Sequence, residues 1–207
     1  MSGGRVGALV AMAAVVALGA GCGGGGGGEK IIPLATTPTS VAATTGGPAP
    51  TAPPTLSARD VANRFEQLLE QNAGARAQVS QAVQGVGNCT VDPRQAHDTL
   101  GAVVNTRKAL VDQVNVIDVG ALPEGSNLKS NLVQAWQASI AADVHFQAWA
   151  LDVADAGCVR NGVNSGPDWD AANTSSIQAT QFKQNFSTVW AAVAPRYGLR
   201  TWAENEL

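Results

Sequence analysis

The stretch Leu128–Cys158, LKSNLVQAWQASIAADVHFQAWALDVADAGC, decides how the chain is read. At about 100° per residue, Leu128, Leu132, Ala135, Trp136, Ser139, Ile140, Phe146, Ala150, Leu151 and Val153 fall within one apolar arc, the pattern of a helix facing a core. Asp143 and Gln147 lie inside that arc, while His145 projects to the opposite, solvent side. A carboxylate aimed into a core needs a partner, because an unpaired buried charge is prohibitively unfavourable.

The preceding segment offers that partner. Asp92-Pro93 is a cap residue followed by the residue best tolerated in a first helical turn. Ala96, Leu100, Val103, Val104, Leu110, Val111, Val114 and Ile117 then mark an apolar stripe with Arg107 near its centre. Val119 to Gly125, containing Gly120 and Pro123, reads as a turn, so the two helices should form an antiparallel hairpin. Pairing outward from that turn sets Ile117 opposite Leu128 and Leu110 opposite Ala135. Arg107 then falls about one helical turn short of Asp143. Helical side chains lean toward their own N-termini, which closes the gap. A buried Arg107 to Asp143 ion pair is therefore expected, chiefly as a specificity-giving core pair; the alternative is a ligand-binding pocket formed by Arg107, Asp143 and Gln147.

Two more helices flank this pair. Ser57 and Asp60 have capping-box spacing, ahead of Val61, Phe65, Leu68, Leu69, Val79, Val83 and Val86, and Gly85 to Asn88 ends the run. After a loop from Val159 to Asp168, a stripe of Ile177, Phe182, Phe186, Val189, Trp190 and Val193 continues to Ala194-Pro195. The expected fold class is all-α, an up-down four-helix bundle spanning residues 57–207. In that topology Cys89 lies between the first and second helices and Cys158 at the end of the third, which is the same end of the bundle. An exported chain with this arrangement should carry a Cys89–Cys158 disulfide.

Export is read from residues 1–21, where Arg5 precedes the apolar run Val6 to Ala20 and small residues follow. Residues 22–56 hold six consecutive glycines and then Thr, Pro and Ala, too few apolar anchors to offset the entropy of ordering, so they are read as a disordered tether. Leu18-Gly19-Ala20-Gly21-Cys22 resembles the lipobox of bacterial lipoproteins, although Gly19 stands where that family usually has an aliphatic residue. The resemblance implies that Cys22 becomes the lipid-modified mature N-terminus, since two or more acyl chains give stable anchoring. Ordinary cleavage and free secretion is the other reading.

Charged residues are 14% of the chain and the formal charge is -3, so no basic field exists to hold nucleic acid or an anionic membrane surface. Two histidines cannot build a multi-histidine metal site. The Glu-x-x-His pairs of di-iron bundles, the haem-attachment and zinc-protease motifs and the Gly-x-Ser-x-Gly elbow are absent, and the run Gly23 to Gly28 lacks the Gly-Lys-Ser/Thr of a phosphate loop. No metal or other cofactor, and no enzymatic activity, is expected. Of the five tryptophans, Trp136, Trp149 and Trp190 fall on or beside helical stripes and are expected in the core. Trp169 and Trp202 fall in irregular stretches and are more open to a recognition role.

Several segments carry a wider resemblance. Asn105-Thr106-Arg107 with Leu110-Val111, the turn Asp118 to Pro123, Ala135-Trp136-Gln137-Ala138-Ser139, Ala142-Asp143, Ala148-Trp149-Ala150 and Tyr197 to Trp202 occur in order over residues 95–207. Together they resemble an uncharacterised family of exported or lipid-anchored helical proteins from high-GC Gram-positive bacteria. The resemblance implies a helical extracytoplasmic domain and supplies neither an activity nor site residues. The expectation is a non-enzymatic, membrane-tethered protein with an interaction or sensing role, its partner an envelope protein or a small ligand.

Overall fold

The computed structural model describes residues 56–159 and 163–207. The chain divides into two units, Met1–Pro50 and Thr51–Leu207, and the second is the subject here. The signal sequence, Cys22 and the tether as far as residue 55 lie outside the described residues.

Ser57 Oγ accepts from the Asp60 backbone N–H at 3.2 Å while the Asp60 carboxylate accepts from the Ser57 N–H at 3.2 Å. This reciprocal cap opens α1, Ala58–Gly87. The Asp92 carboxylate accepts from the Arg94 and Gln95 N–H groups at 2.8 and 3.3 Å, starting α2, Pro93–Asn115. Helix α3 runs Gly125–Ala156 and α4 runs Pro167–Val193, followed by short 3-10 turns at Ala194–Tyr197 and Glu204–Glu206. The described residues contain no strand. Helix α3 packs most closely against α4 and α2, and α1 packs chiefly on α2.

The core falls into two apolar clusters. The larger joins Val61 to Leu69 of α1, Leu110 to Ile117 at and just beyond the end of α2, Leu128 to Trp136 of α3, Phe186 to Val193 of α4, and Trp202 and Leu207 from the tail. The smaller joins Ala82 and Val86, Ala96 and Leu100, Trp149 to Val153, and Val163. Between the two stretches of each helix sit the buried polar residues Asn72 on α1, Arg107 on α2, Ser139 and Asp143 on α3, and Lys183 on α4. Every helix therefore carries its polar interruption between apolar stretches or beside one, and the interruptions collect in one layer.

Cys89 and Cys158 are joined, with Cα atoms 5.8 Å apart across 69 residues of sequence. The bond ties the smaller cluster, where Cys158 packs beside Val86 and Trp149.

Four local expectations change. Ile177, assigned to the apolar stripe of α4, is exposed, and the buried face of that helix is Ala172, Ala179, Lys183, Phe186, Trp190 and Val193. Trp169 lies in the first turn of α4, not in a loop, with its ring 4.9 Å from Trp149 and 5.6 Å from Phe146 between centroids. Trp202 is buried rather than offered to a partner; its indole N–H donates to Glu66 Oε2 at 3.0 Å. His145 is half-buried, with Nδ1 2.8 Å from Asp168 Oδ1, because α4 begins close enough to cover the face that a helical wheel assigns to solvent.

Candidate functional site

Arg107 and Asp143 meet as their spacing predicts. The Arg107 Nη1 donates to Asp143 Oδ2, and its Nε donates to Asn72 Oδ1 at 3.3 Å. Arg107 is 3% exposed and Asp143 2%, so both charges are desolvated. Burial pushes the Asp143 carboxyl above the usual carboxylate range, against the pull of Arg107 and of Lys183. Breaking such a pair from one side strands a charge in a medium that cannot solvate it.

Gln147 does not join them. Four residues beyond Asp143 amounts to about 40° of rotation around the helix. One turn further along, Gln147 faces α2 at a different level from Arg107, with its Nε2 3.1 Å from His97 Nε2 and within 2.7 Å of where a Cβ on Gly101 would lie. A side chain at position 101 would displace the Gln147 amide from this place.

The ion pair forms part of the wall of a cleft of about 320 Å³, not a sealed core. Helices α1 and α4 touch where the Phe65 ring lies 6.4 Å from Phe186 and 6.2 Å from Trp190, and the cleft opens further along the same two helices. Local side-chain size accounts for the opening: α1 presents Ser80 and Val79 there, and α4 presents Ser176, Ala179 and Thr180, none large enough to fill the space. Val79, Val83, Ala142 and Phe146 form an apolar wall; Arg76, Arg107 and Lys183 form a cationic one.

Lys183 was not among the residues singled out from the sequence, and it is the most informative residue in the cleft. It is 7% exposed, and no carboxylate among the described residues lies within ion-pairing distance of its Nζ. Burial, reinforced by the charges of Arg107 and Arg76 and opposed by Asp143, pulls the lysine down to about 7. Arg76 donates from Nη1 to the Leu207 carbonyl oxygen at 3.1 Å, and burial with the neighbouring Arg107 lowers it from the usual arginine value. Four buried polar atoms lack a hydrogen-bond partner among the described residues: Ser139 Oγ, which lines the cleft, and Asn72 Nδ2, Trp136 Nε1 and Ser187 Oγ, which do not. Buried polar groups are ordinarily satisfied, so each of these calls for an explanation. No group of three His, Cys, Asp or Glu side chains among the described residues is placed to hold a metal ion.

Compared with family models, with curated proteins and with solved structures, the chain matches none, so the use of the cleft has to be argued from its own residues.

Proposed function

We propose that this helical domain is a non-enzymatic binding module for a small ligand, held outside the cell membrane by its N-terminal segment. In this reading Cys22 carries the lipid anchor, residues 22–56 form the tether, and the four helices run up and down in sequence order. Short connections between successive helices and the Cys89–Cys158 bond support that order.

The observation that carries the proposal is the cleft beside Arg107 and Asp143. Its volume of about 320 Å³ is at the lower end of the range of about 300–1,000 Å³ usual for small-molecule sites. Its lining combines apolar side chains with a few polar groups, of which Ser139 has no hydrogen-bond partner and Lys183 no ion-pair partner among the described residues. A pair serving only specificity needs no open space beside it. Among the described residues the large apolar side chains left exposed are Val116, Val144, Val159 and Ile177.

A fragment screen read by backbone amide NMR shifts tests the reading. Fragments should perturb Ser139, Phe146 and Lys183 together, and Ser176→Trp at the cleft wall should abolish the response. Shifts confined to other surfaces, or unaffected by the tryptophan, would count against it. For the tether, Cys22→Ala should move the protein out of the membrane fraction; unchanged partitioning would remove the lipid anchor from the account.

A further inference from the structure

The whole chain is acidic, with a formal charge of -3, yet its cleft is not. Three cationic side chains, Arg76, Arg107 and Lys183, face a single carboxylate, Asp143. Asp143 is already engaged by Arg107, and Arg107 is further held by Asn72. That leaves Lys183 almost wholly buried with no carboxylate within ion-pairing distance among the described residues, Asp143 acting on it only from further off, beside an Arg76 whose Nη1 donates to the Leu207 backbone oxygen. A charge kept out of water without a partner is costly, and a lysine could be replaced here by an apolar residue with a gain in stability. Its chemistry is complementary to a negative charge that the protein itself does not supply. Val79, Val83 and Phe146, which also line the cleft, offer hydrocarbon and an aromatic ring.

We propose that the cleft binds an anionic ligand with an apolar body, its acid group against Lys183 and Arg76 and its body against Val79, Val83 and Phe146. This deepens the ligand-binding reading above and rests on it. The groups facing Lys183 are Arg76 from α1, Arg107 from α2 and Asp143 from α3, with Glu204 beyond α4 acting on Arg76. An incoming anion favours the ammonium form of the lysine, so binding near neutral pH takes up a proton and weakens as the solution becomes alkaline. The unpartnered Ser139 hydroxyl on the same wall gives the ligand a neutral hydrogen-bonding contact.

Two fluorescent probes with the same ring system separate the charge from the hydrocarbon: 8-anilinonaphthalene-1-sulfonate, which carries a sulfonate, and N-phenyl-1-naphthylamine, which does not. The protein should bind the sulfonate about tenfold or more tightly than the neutral amine, with amide shifts at Ser139 and Phe146. Lys183→Met and Lys183→Gln should each erase that preference by weakening the sulfonate far more than the neutral amine. The sulfonate should also bind more weakly at about pH 9 than at about pH 6, where Lys183 is charged, and the neutral amine should show no such change. Equal affinity for the two probes, or a preference that survives both substitutions, would overturn the anionic assignment while the ligand-binding reading stands. Failure of both probes to shift Ser139 or Phe146 would bring down both.

Discussion

Along the larger apolar cluster, α1 and α4 are joined by Phe65, Phe186 and Trp190, the last two rings stacked at 5.8 Å. About two helical turns away, at the level of Ala179, the same pair of helices parts around a cleft with three cations on its wall. One layer is filled by large rings; the Trp190 indole N–H donates to the Arg200 carbonyl at 2.8 Å, while that of Trp136 has no partner among the described residues. The other layer leaves a lysine without a counter-ion and a hydroxyl without a partner. An unpartnered donor occurs in both layers, so what sets the polar one apart is the buried Lys183 charge and the open space beside it, which apolar side chains would fill with a gain in stability.

The largest expected effect is on the ion pair. Asp143→Ala leaves Arg107 buried beside Lys183 with no carboxylate and should cost about 3 to 5 kcal/mol in urea unfolding. The double change Arg107→Met with Asp143→Leu should recover most of that loss. A loss near zero for the single change would mean the pair is solvated and the two layers do not differ in kind.

Next is the covalent tie on the cleft's far side. Cys89→Ser with Cys158→Ser opens a loop of 69 residues and should lower stability by about 4 kcal/mol in the loop-entropy treatment. If the smaller cluster around Trp149 holds as well without the bond, amide exchange there will be unchanged; faster exchange at Val86 and Ala150 than at Phe65 and Trp190 is the expected result.

Lys183→Met should act in the opposite direction, raising stability by about 1 to 2 kcal/mol below neutral pH. The sign follows from the lysine's lowered folded value, about 7. Below that value both folded and unfolded chains carry the proton and the full cost of the buried charge is present. Between about 7 and the ordinary lysine range, the unfolded chain binds more protons than the folded one, so the stability of the wild type rises with pH. The advantage of Lys183→Met should therefore shrink from about pH 7 to about pH 10, as read from urea midpoints.

Much of this architecture was legible from side-chain spacing. The caps at Ser57 and Asp92, the stripe of α2, the Cys89–Cys158 bond and the meeting of Arg107 with Asp143 all follow from local chemistry and helical periodicity. Lys183 was missed because Ile177 and Phe182, the bulkier side chains, pulled the apolar arc of α4 about one residue off its true centre. The spacing Ala179, Lys183, Phe186, Trp190, Val193 repeats by fours and threes and marks the buried face, but an alanine weighs little in such a pattern. Gln147 shows a different limit. A helical wheel gives the direction of a side chain and not its level along the neighbour, and Gln147 meets α2 at His97 and Gly101, away from Arg107. The cleft itself arises from what α1 and α4 fail to fill, a property of two helices together that neither stripe displays alone.

Everything proposed for the cleft depends on the Lys183 ammonium being buried with no ion-pair partner among the described residues. Following the Lys183 Cε resonance by NMR as pH is raised measures this directly. A midpoint near 7, moving upward when 8-anilinonaphthalene-1-sulfonate is bound, is the predicted result. A midpoint in the ordinary lysine range, about 10.4, unchanged by the sulfonate, would contradict it.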